Sequence, residues 1–487
     1  MTKVKDFKLV DLDNVALYIN GEWVSSVAGG HFEVYNPNTQ ELVAKVPKGG
    51  TEETRKAIEA AKEAFPKWSK LTAEQRANYI FRLRDLLLEH TEEVATIMSM
   101  EMGKAYKEAK GEVVYAASFL TWYAEEGKRI YGETIPASVE NKRLLVIKQP
   151  VGVVAAITPW NFPIAMLTRK LGPALAAGCT GIVKPASQTP LTALAFAKLV
   201  EMAEIPKGVI NIVAGSTKAI SDEIFNNHAV RKISFTGSTE VGKQLVEQSA
   251  KQLKKLSLEL GGHAPFIVFD DADIEKAVEG VVASKFRNAG QTCVCANRVF
   301  VHKNIKEEFA KTFVERVKQL NVGNSLKEDV DIGPLVNKAA IEKVKDHVED
   351  AVSKGATILC GGAEKADEQG YFFEPTVLDN VTEEMKIMSE ETFGPIAPIT
   401  VFEDEEEVIK AANNTPYGLA AYVYTRDISR AVRVSEGLEF GIVGLNDAMP
   451  GTAQAPFGGV KESGYGREGG HQGIREYLEE KYISLGI

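Results

Sequence analysis

The sequence predicts an α/β protein made of two doubly wound, Rossmann-like domains and a small β arm, on three observations. A chain of 487 residues that is 44% hydrophobic is too long for one ordinary core and rich enough in apolar side chains to bury two. From Pro150 onward, short runs rich in valine and isoleucine alternate with helix-like segments, the pattern of parallel βαβ units. A second alternation of the same kind begins after Glu259.

Taken in order, GTEETRKAIEAAKEAF (50–65) reads as an amphipathic helix with an acidic first turn. Residues 1–125 are expected to be mostly helical and to cover the first sheet. The strands of that sheet are VGVVAAI (151–157), TGIVK (180–184), GVINIV (208–213) and KISFT (232–236), whose starts fall 24 to 29 residues apart. Each interval holds one strand and one crossover helix. The second domain begins with PFIVF (265–269) and a helix that Asp273 caps. A strand centred on 299–302, a helix near 305–319 and strands near 357–360, 397–402 and 419–424 follow. KRLLVIKQP (142–150) and the closing YLEEKYISLGI are extended apolar stretches with no helix beside them. An unpaired apolar edge invites aggregation, so both are expected to pair across subunits of a homodimer or homotetramer.

The charge balance of −10 and the absence of basic clusters interleaved with aromatics argue against a nucleic-acid or anionic-membrane surface. No apolar run approaches the roughly 18 residues that cross a bilayer, so a cytoplasmic enzyme is expected. The four cysteines, Cys179, Cys293, Cys295 and Cys360, are too few for a disulfide scaffold and lack zinc-type spacing, so no metal is expected. Cys179 and Cys360 read as small buried hydrophobes.

Three segments carry chemistry. FRNAGQTCVCANR (286–298) sets Cys293 in a loop just after a helix, a position that suits a nucleophile. LSLELGGHAP (256–265) places Glu259 in an otherwise apolar strand, where burial raises a carboxylate toward general-base range. ITPWNFPIAMLTRKLGPALAAG (157–178) puts Asn161 at the carboxyl edge of a strand, with Pro163 opening the next helix. Its amide can hold a developing oxyanion.

With TPWNFP (158–163), KPAS (184–187), FTGSTEVG (235–242), LELGG (258–262), GQTCVCANR (290–298), EETFGP (390–395) and PFGGVKESG (456–464) in one order, the chain resembles the aldehyde dehydrogenase superfamily over almost its whole length. The resemblance implies that family's fold. It assigns a discontinuous dinucleotide-binding domain to 1–126 and 150–258, a catalytic domain to 259–460, and oligomerisation strands to 127–149 and 475–487. It implies that Cys293 attacks the aldehyde, that Asn161 and the Cys293 backbone N–H hold the oxyanion, and that Glu259 activates water. Lys170 and Glu468 match positions that assist proton transfer or nicotinamide placement.

The most literal GxGxxG, Gly464 to Gly469, follows no apolar strand and is a decoy. FTGSTEVG follows a strand and opens a helix, so Gly237 and Ser238 are the expected pyrophosphate site. By resemblance Thr158, Trp160, Lys184, Glu391 and Phe393 also belong to the cofactor site. Ser187 stands where relatives that prefer NAD often carry glutamate, which favours NADP with NAD still usable.

Within the superfamily the chain is most similar to succinate-semialdehyde dehydrogenases. Arg169 and Arg287 are the candidates for gripping a substrate carboxylate. Gly451 departs from that subgroup, which often has serine there; Thr452 beside it is the candidate replacement. Other semialdehydes, lactaldehyde or an aliphatic aldehyde therefore stay open. Cys295, two residues from the nucleophile, is a candidate redox partner. A cysteine hydrolase using His263 or His302 is the rival reading, and a CoA-acylating dehydrogenase has no use for Glu259.

Overall fold

Valine- and isoleucine-rich strands that carry helices on both faces leave no side for water, and here they are buried along their length. The computed structural model describes residues 7–365 and 369–487. Four strands come first, β1 (Leu17–Ile19), β2 (Glu22–Val24), β3 (His31–Tyr35) and β4 (Leu42–Pro47). Helices α1 (Thr51–Trp68), α2 (Ala73–Glu89), α3 (Thr91–Met102) and α4 (Tyr106–Glu126) follow. The expected mostly helical N-terminal region is thus corrected over residues 17–47. Asn20 and Gly21 both take positive φ between β1 and β2, a tight hairpin turn, and β1 pairs antiparallel with β9.

Next come β5 (Glu133–Ile135), β6 (Lys142–Pro150), β7 (Val153–Ile157), α5 (Ala165–Ala177), β8 (Thr180–Lys184) and α6 (Pro190–Met202). The first domain continues with β9 (Ile210–Ile212), α7 (Thr217–Asn226), β10 (Val230–Thr236), α8 (Thr239–Ser249) and β11 (Lys255–Glu259). The second holds β12 (Ala264–Val268), α9 (Ile274–Lys285), β13 (Ala296–His302), α10 (Lys306–Val317), α11 (Lys338–Ser353) and β14 (Thr357–Cys360). It continues through β15 (Thr376–Asp379), β16 (Ile396–Phe402), α12 (Glu405–Asn413), β17 (Ala420–Tyr424), α13 (Ile428–Gly437) and β18 (Ile442–Leu445). β19 (Gly464–Tyr465) then pairs with β11 in the first sheet, and α14 (Gly470–Arg475) leads to β20 (Leu478–Gly486), which forms a separate three-stranded sheet with β6 and β5.

Among the described residues the first sheet runs β19-β11-β10-β7-β8-β9-β1-β2, parallel from β11 to β9. The second runs β14-β15-β16-β13-β12-β17-β18 and is parallel except at β14. Each sheet has its own apolar core, the first drawn mainly from residues 9–260 and the second from residues 264–448. Asp273 caps α9 as expected, its side chain accepting from Lys276 N. α5 starts at Ala165, two residues beyond Pro163.

The two apolar stretches expected to pair across subunits instead pair with one another within the chain. β20 lies antiparallel to β6 from Leu478 opposite Pro150 to Gly486 opposite Lys142, with β5 on the other side of β6. Backbone groups that looked orphaned when each segment stood alone satisfy one another. Cys179 is fully buried, whereas Cys360 at the sheet edge is only half-buried. No helix among the described residues is long and apolar enough to cross a membrane.

Candidate active site

Cys293 sits on a loop whose shape depends on three consecutive residues with positive φ, Asn288, Ala289 and Gly290. At Gly290 a side chain is impossible, since a Cβ would lie 2.2 Å from the Gly394 carbonyl oxygen. The buried Gln291 pins the loop, its side chain donating to Asn288 O and accepting from Val336 N. Gly262 gives the loop room, because a Cβ there would lie 2.3 Å from the Cys293 carbonyl. Asn161, just past the end of β7, reaches this loop and donates from Nδ2 to Gln291 O at 3.0 Å.

Burial pushes the Cys293 thiol up to about 12, and the nearby Glu391 carboxylate adds to the shift. The thiol therefore needs a proton acceptor. Glu259 ends β11 with Oε2 buried and free of any hydrogen bond. Burial and then the charge of Glu468 raise it well above the ordinary carboxylate range. Glu468 is itself held low: burial would raise it, but Lys170 and Arg169 pull it down. Lys170 Nζ lies 2.5 Å from Glu468 Oε1 and donates to Thr236 Oγ1 at 2.7 Å. The structure brings Cys293, Asn161, Glu259, Lys170 and Glu468 into one region. His263 and His302 do not join them; their rings face the carbonyls of Ile387 and Glu403. That leaves the hydrolase reading without a histidine base.

One cavity, about 380 Å³, runs from Gly237 and Ser238 past Trp160 to Glu391, Phe393 and Cys293. Ser238 caps α8, accepting from Val241 N, so the helix N-terminus opens at this cavity. Gly237 makes room for the Phe235 ring, which a Cβ there would meet at 2.4 Å. Trp160 packs edge-on against Phe393 with ring centres 5.5 Å apart. Glu391 Oε1 accepts from Gly262 N at 3.0 Å, and burial raises this carboxyl to about 7.

Thr158 and Lys184 lie side by side at the ends of β7 and β8, Thr158 N donating to Lys184 O. Burial alone pulls the Lys184 ammonium down to about 8. Ser187 lines a neighbouring cleft with Gln188 and Glu101, and the two hollows share Val336 and Asn337 as their dividing wall.

A second cavity, about 320 Å³, meets the first at Cys293 and Met166 and is walled also by Phe162, Tyr115, Phe457, Arg169 and Arg287. The two arginines are not equivalent. Arg169 is 1% exposed, its Nε is 3.0 Å from Glu468 Oε2 and its guanidinium lies over Phe457, so its charge is largely spent in an ion pair. Arg287 lies over Phe162, touches Met449 through sulfur, and has a buried Nε without a hydrogen-bond partner. Glu108 shares this cavity; burial raises its carboxyl, although Lys104 and Arg287 oppose the shift. Thr452 is not at the cavity. Its hydroxyl turns to Gln454, and Gly451 forms the wall instead. Cys295 is turned away into the protein, its thiol donating to Gly290 O at 3.3 Å with Lys285 Nζ 3.7 Å away.

Sequence reasoning missed Lys104, Glu108, Glu112 and Tyr115, which reach the cavity from α4 and the turn before it. Nothing local marks them, since a helix far upstream meets the Cys293 loop only in three dimensions.

Residues 23–483 match the model of the aldehyde dehydrogenase family. The chain is 56% identical over 470 residues to the NADP(+) succinate-semialdehyde dehydrogenase GabD of Escherichia coli, covering 96% of this chain and 97% of that one. It is 55% identical to a glutarate-semialdehyde dehydrogenase of Pseudomonas putida, again over 96% and 97% of the two chains. A crystal structure of succinate-semialdehyde dehydrogenase from Burkholderia pseudomallei superposes with a TM-score of 0.97 at 52% identity, covering both chains fully at 100%.

Proposed function

The chain belongs to the aldehyde dehydrogenase family, and on that premise we propose that it oxidises succinate semialdehyde to succinate through a thioester on Cys293. The observation that carries this reading is that Cys293 lines two cavities at once, one suited to a dinucleotide and one bearing two arginines.

The first cavity fits a nicotinamide dinucleotide: a helix N-terminus suited to phosphate and an aromatic pair beside the thiol. When bound there, the nicotinamide supplies the hydride acceptor. Cys293 attacks the aldehyde carbon as a thiolate, its proton passing to a base. The Asn161 amide and the Cys293 backbone N–H hold the oxygen of the thiohemiacetal as it becomes negative. Loss of hydride from that carbon leaves the thioester. Glu259 then takes a proton from water as the water oxygen attacks, the carbon–sulfur bond breaks, and the acid leaves. The Thr236–Lys170–Glu468 chain sets the charge beside Glu259 and so its readiness to accept a proton.

Ser187 and Lys184 favour NADP, with NAD also accepted, because no acid at 187 repels a 2′-phosphate. For the substrate, Arg287 grips the far carboxylate and Arg169 lends a wall. A second reading, glutarate semialdehyde, is supported by the 55% identity to a glutarate-semialdehyde dehydrogenase and by Gly451, which leaves that part of the cavity wall without a side chain. We also infer self-association through the β20-β6-β5 arm, which exposes Tyr482 and Leu485; truncation before Glu479 that left the mass in light scattering unchanged would remove that inference.

The decisive experiment is mass spectrometry of the Cys293 peptide, quenched during turnover of succinate semialdehyde with NADP. An acyl adduct is expected, and its absence under active turnover overturns the mechanism.

A further inference from the structure

Under the Cys293 loop lies a buried ion pair that the chemistry above does not use. Lys104, in the turn between α3 and α4, and Glu112, on α4, are bonded to each other with both side chains 1% exposed. The other Glu112 oxygen accepts from Ile164 N and Ala165 N, each at 3.1 Å, the N–H groups that open α5. Lys104 Nζ donates to the Asn161 carbonyl at 2.8 Å and lies 3.7 Å from the centre of the Phe162 ring. Both ends of the short segment from Asn161 to Ala165 are therefore clamped by one pair of charges. Asn288 Nδ2 donates to the same Asn161 carbonyl at 3.1 Å, so the clamp reaches the nucleophile loop as well.

Withdrawing two charges from water costs much of what their attraction returns, and apolar replacements of similar size are often neutral or stabilising. Stability alone is a weak account of this pair. Geometry is a stronger one, because the Asn161 amide must lie within a fraction of an ångström of the oxyanion it serves.

We propose that the Lys104–Glu112 pair is a positioning device: by fixing the Asn161 peptide and the first turn of α5, it aims the Asn161 side-chain amide at the carbonyl oxygen of the aldehyde. Neither residue is catalytic in this role; both act through Asn161. The inference rests on the reading of Asn161 as oxyanion donor.

The test uses Lys104→Met/Glu112→Leu and, separately, Glu112→Gln, each alone and combined with Asn161→Ala. The readouts are the single-turnover rate of NADPH formation from succinate semialdehyde, KM for that aldehyde, and Tm. The apolar double variant is expected to lose some Tm, because Ile164 N and Ala165 N lose their acceptor, to keep its KM near wild type, and to form NADPH about 10- to 100-fold more slowly. Glu112→Gln keeps an oxygen for the two α5 N–H groups but loses the charge, so a smaller slowing is expected. This variant decides the matter if the double variant does not fold. On the Asn161→Ala background neither change should slow the reaction further. The inference is overturned by an unchanged rate, by equal slowing on both backgrounds, or by a loss confined to KM. Asn161→Ala alone separates the two levels: a wild-type rate in that variant refutes the oxyanion reading itself.

Discussion

The Asn161 side-chain amide donates to the Gln291 carbonyl across the boundary between the two domains. A group of the first domain thereby touches the loop of the second that carries Cys293. Asn161→Ala is expected to slow acylation by roughly 10² to 10³, the usual cost of one lost oxyanion donor. Loss of the bond should also destabilise the fold by about 1 kcal/mol. Stopped-flow NADPH formation and thermal melts measure the two effects separately.

If Glu259 is the base of deacylation, one proton should couple activity to stability. Its raised carboxyl must be ionised to act as a base, so the deacylation rate should climb with pH above the usual carboxylate range. Glu259→Gln should flatten that profile and turn steady turnover into a burst followed by a slow phase. The folded protein holds this proton at a pH where the unfolded chain has released it, so wild-type stability falls as pH rises above the unfolded value of about 4.5. The glutamine variant should accordingly melt higher at pH 8, and the gap should close toward pH 4. A gap that is the same at both pH values would show that Glu259 is not the group responsible.

Arg287→Ala should raise KM for succinate semialdehyde by about 10- to 100-fold, the loss of a charge-assisted pair. It should leave a neutral aldehyde of similar size within a few-fold of wild type. Equal losses on both substrates would place Arg287 in general packing against Phe162 rather than in carboxylate binding.

If Lys184, drawn down to about 8, meets the 2′-phosphate of NADP, the choice of cofactor should depend on pH. Below that value the ammonium is present to meet a 2′-phosphate. Above it the free protein must take up a proton to do so, and affinity for NADP should fall toward tenfold per pH unit. NAD, lacking that phosphate, should show a weaker trend, and Lys184→Met should remove the difference. Parallel profiles for the two cofactors in the wild-type protein would refute the assignment.

Mild peroxide is expected to inactivate the protein in a way that dithiothreitol reverses, and Cys295→Ser is expected to make the loss irreversible. The Cys295 thiol is buried against Gly290 and Lys285, so bridging to Cys293 requires the loop to rearrange and should be slow. No recovery of the wild-type protein with thiol would end this idea.

The parallel strands were legible because each is buried on both faces and advertises itself as a continuous apolar run; β8 matches its expected limits and β10 starts two residues earlier. Glu259 stood out because a carboxylate is costly to bury in an apolar strand, whereas Cys293 and Asn161 drew their expected roles mainly from the family motifs around them. The hairpin β1–β2 was not, although Asn20-Gly21 is its signal: three-residue strands carry too little periodicity to compete with the helices that follow. The contrast between Arg169 and Arg287 was also hidden, since what separates them is Glu468, far along the chain and adjacent only after folding. Thr452 failed for a local reason, its hydroxyl finding Gln454 two residues away.

The pairing of β6 with β20 sets a timetable for biosynthesis. β6 leaves the ribosome early, but the strand that covers it arrives only after the whole second domain has been made, a wait on the order of tens of seconds at roughly 5–20 residues per second. Throughout that interval β20 is not there to cover β6, and Lys142, Arg143 and Lys148 on that strand are charges of the kind that discourage edge-to-edge pairing.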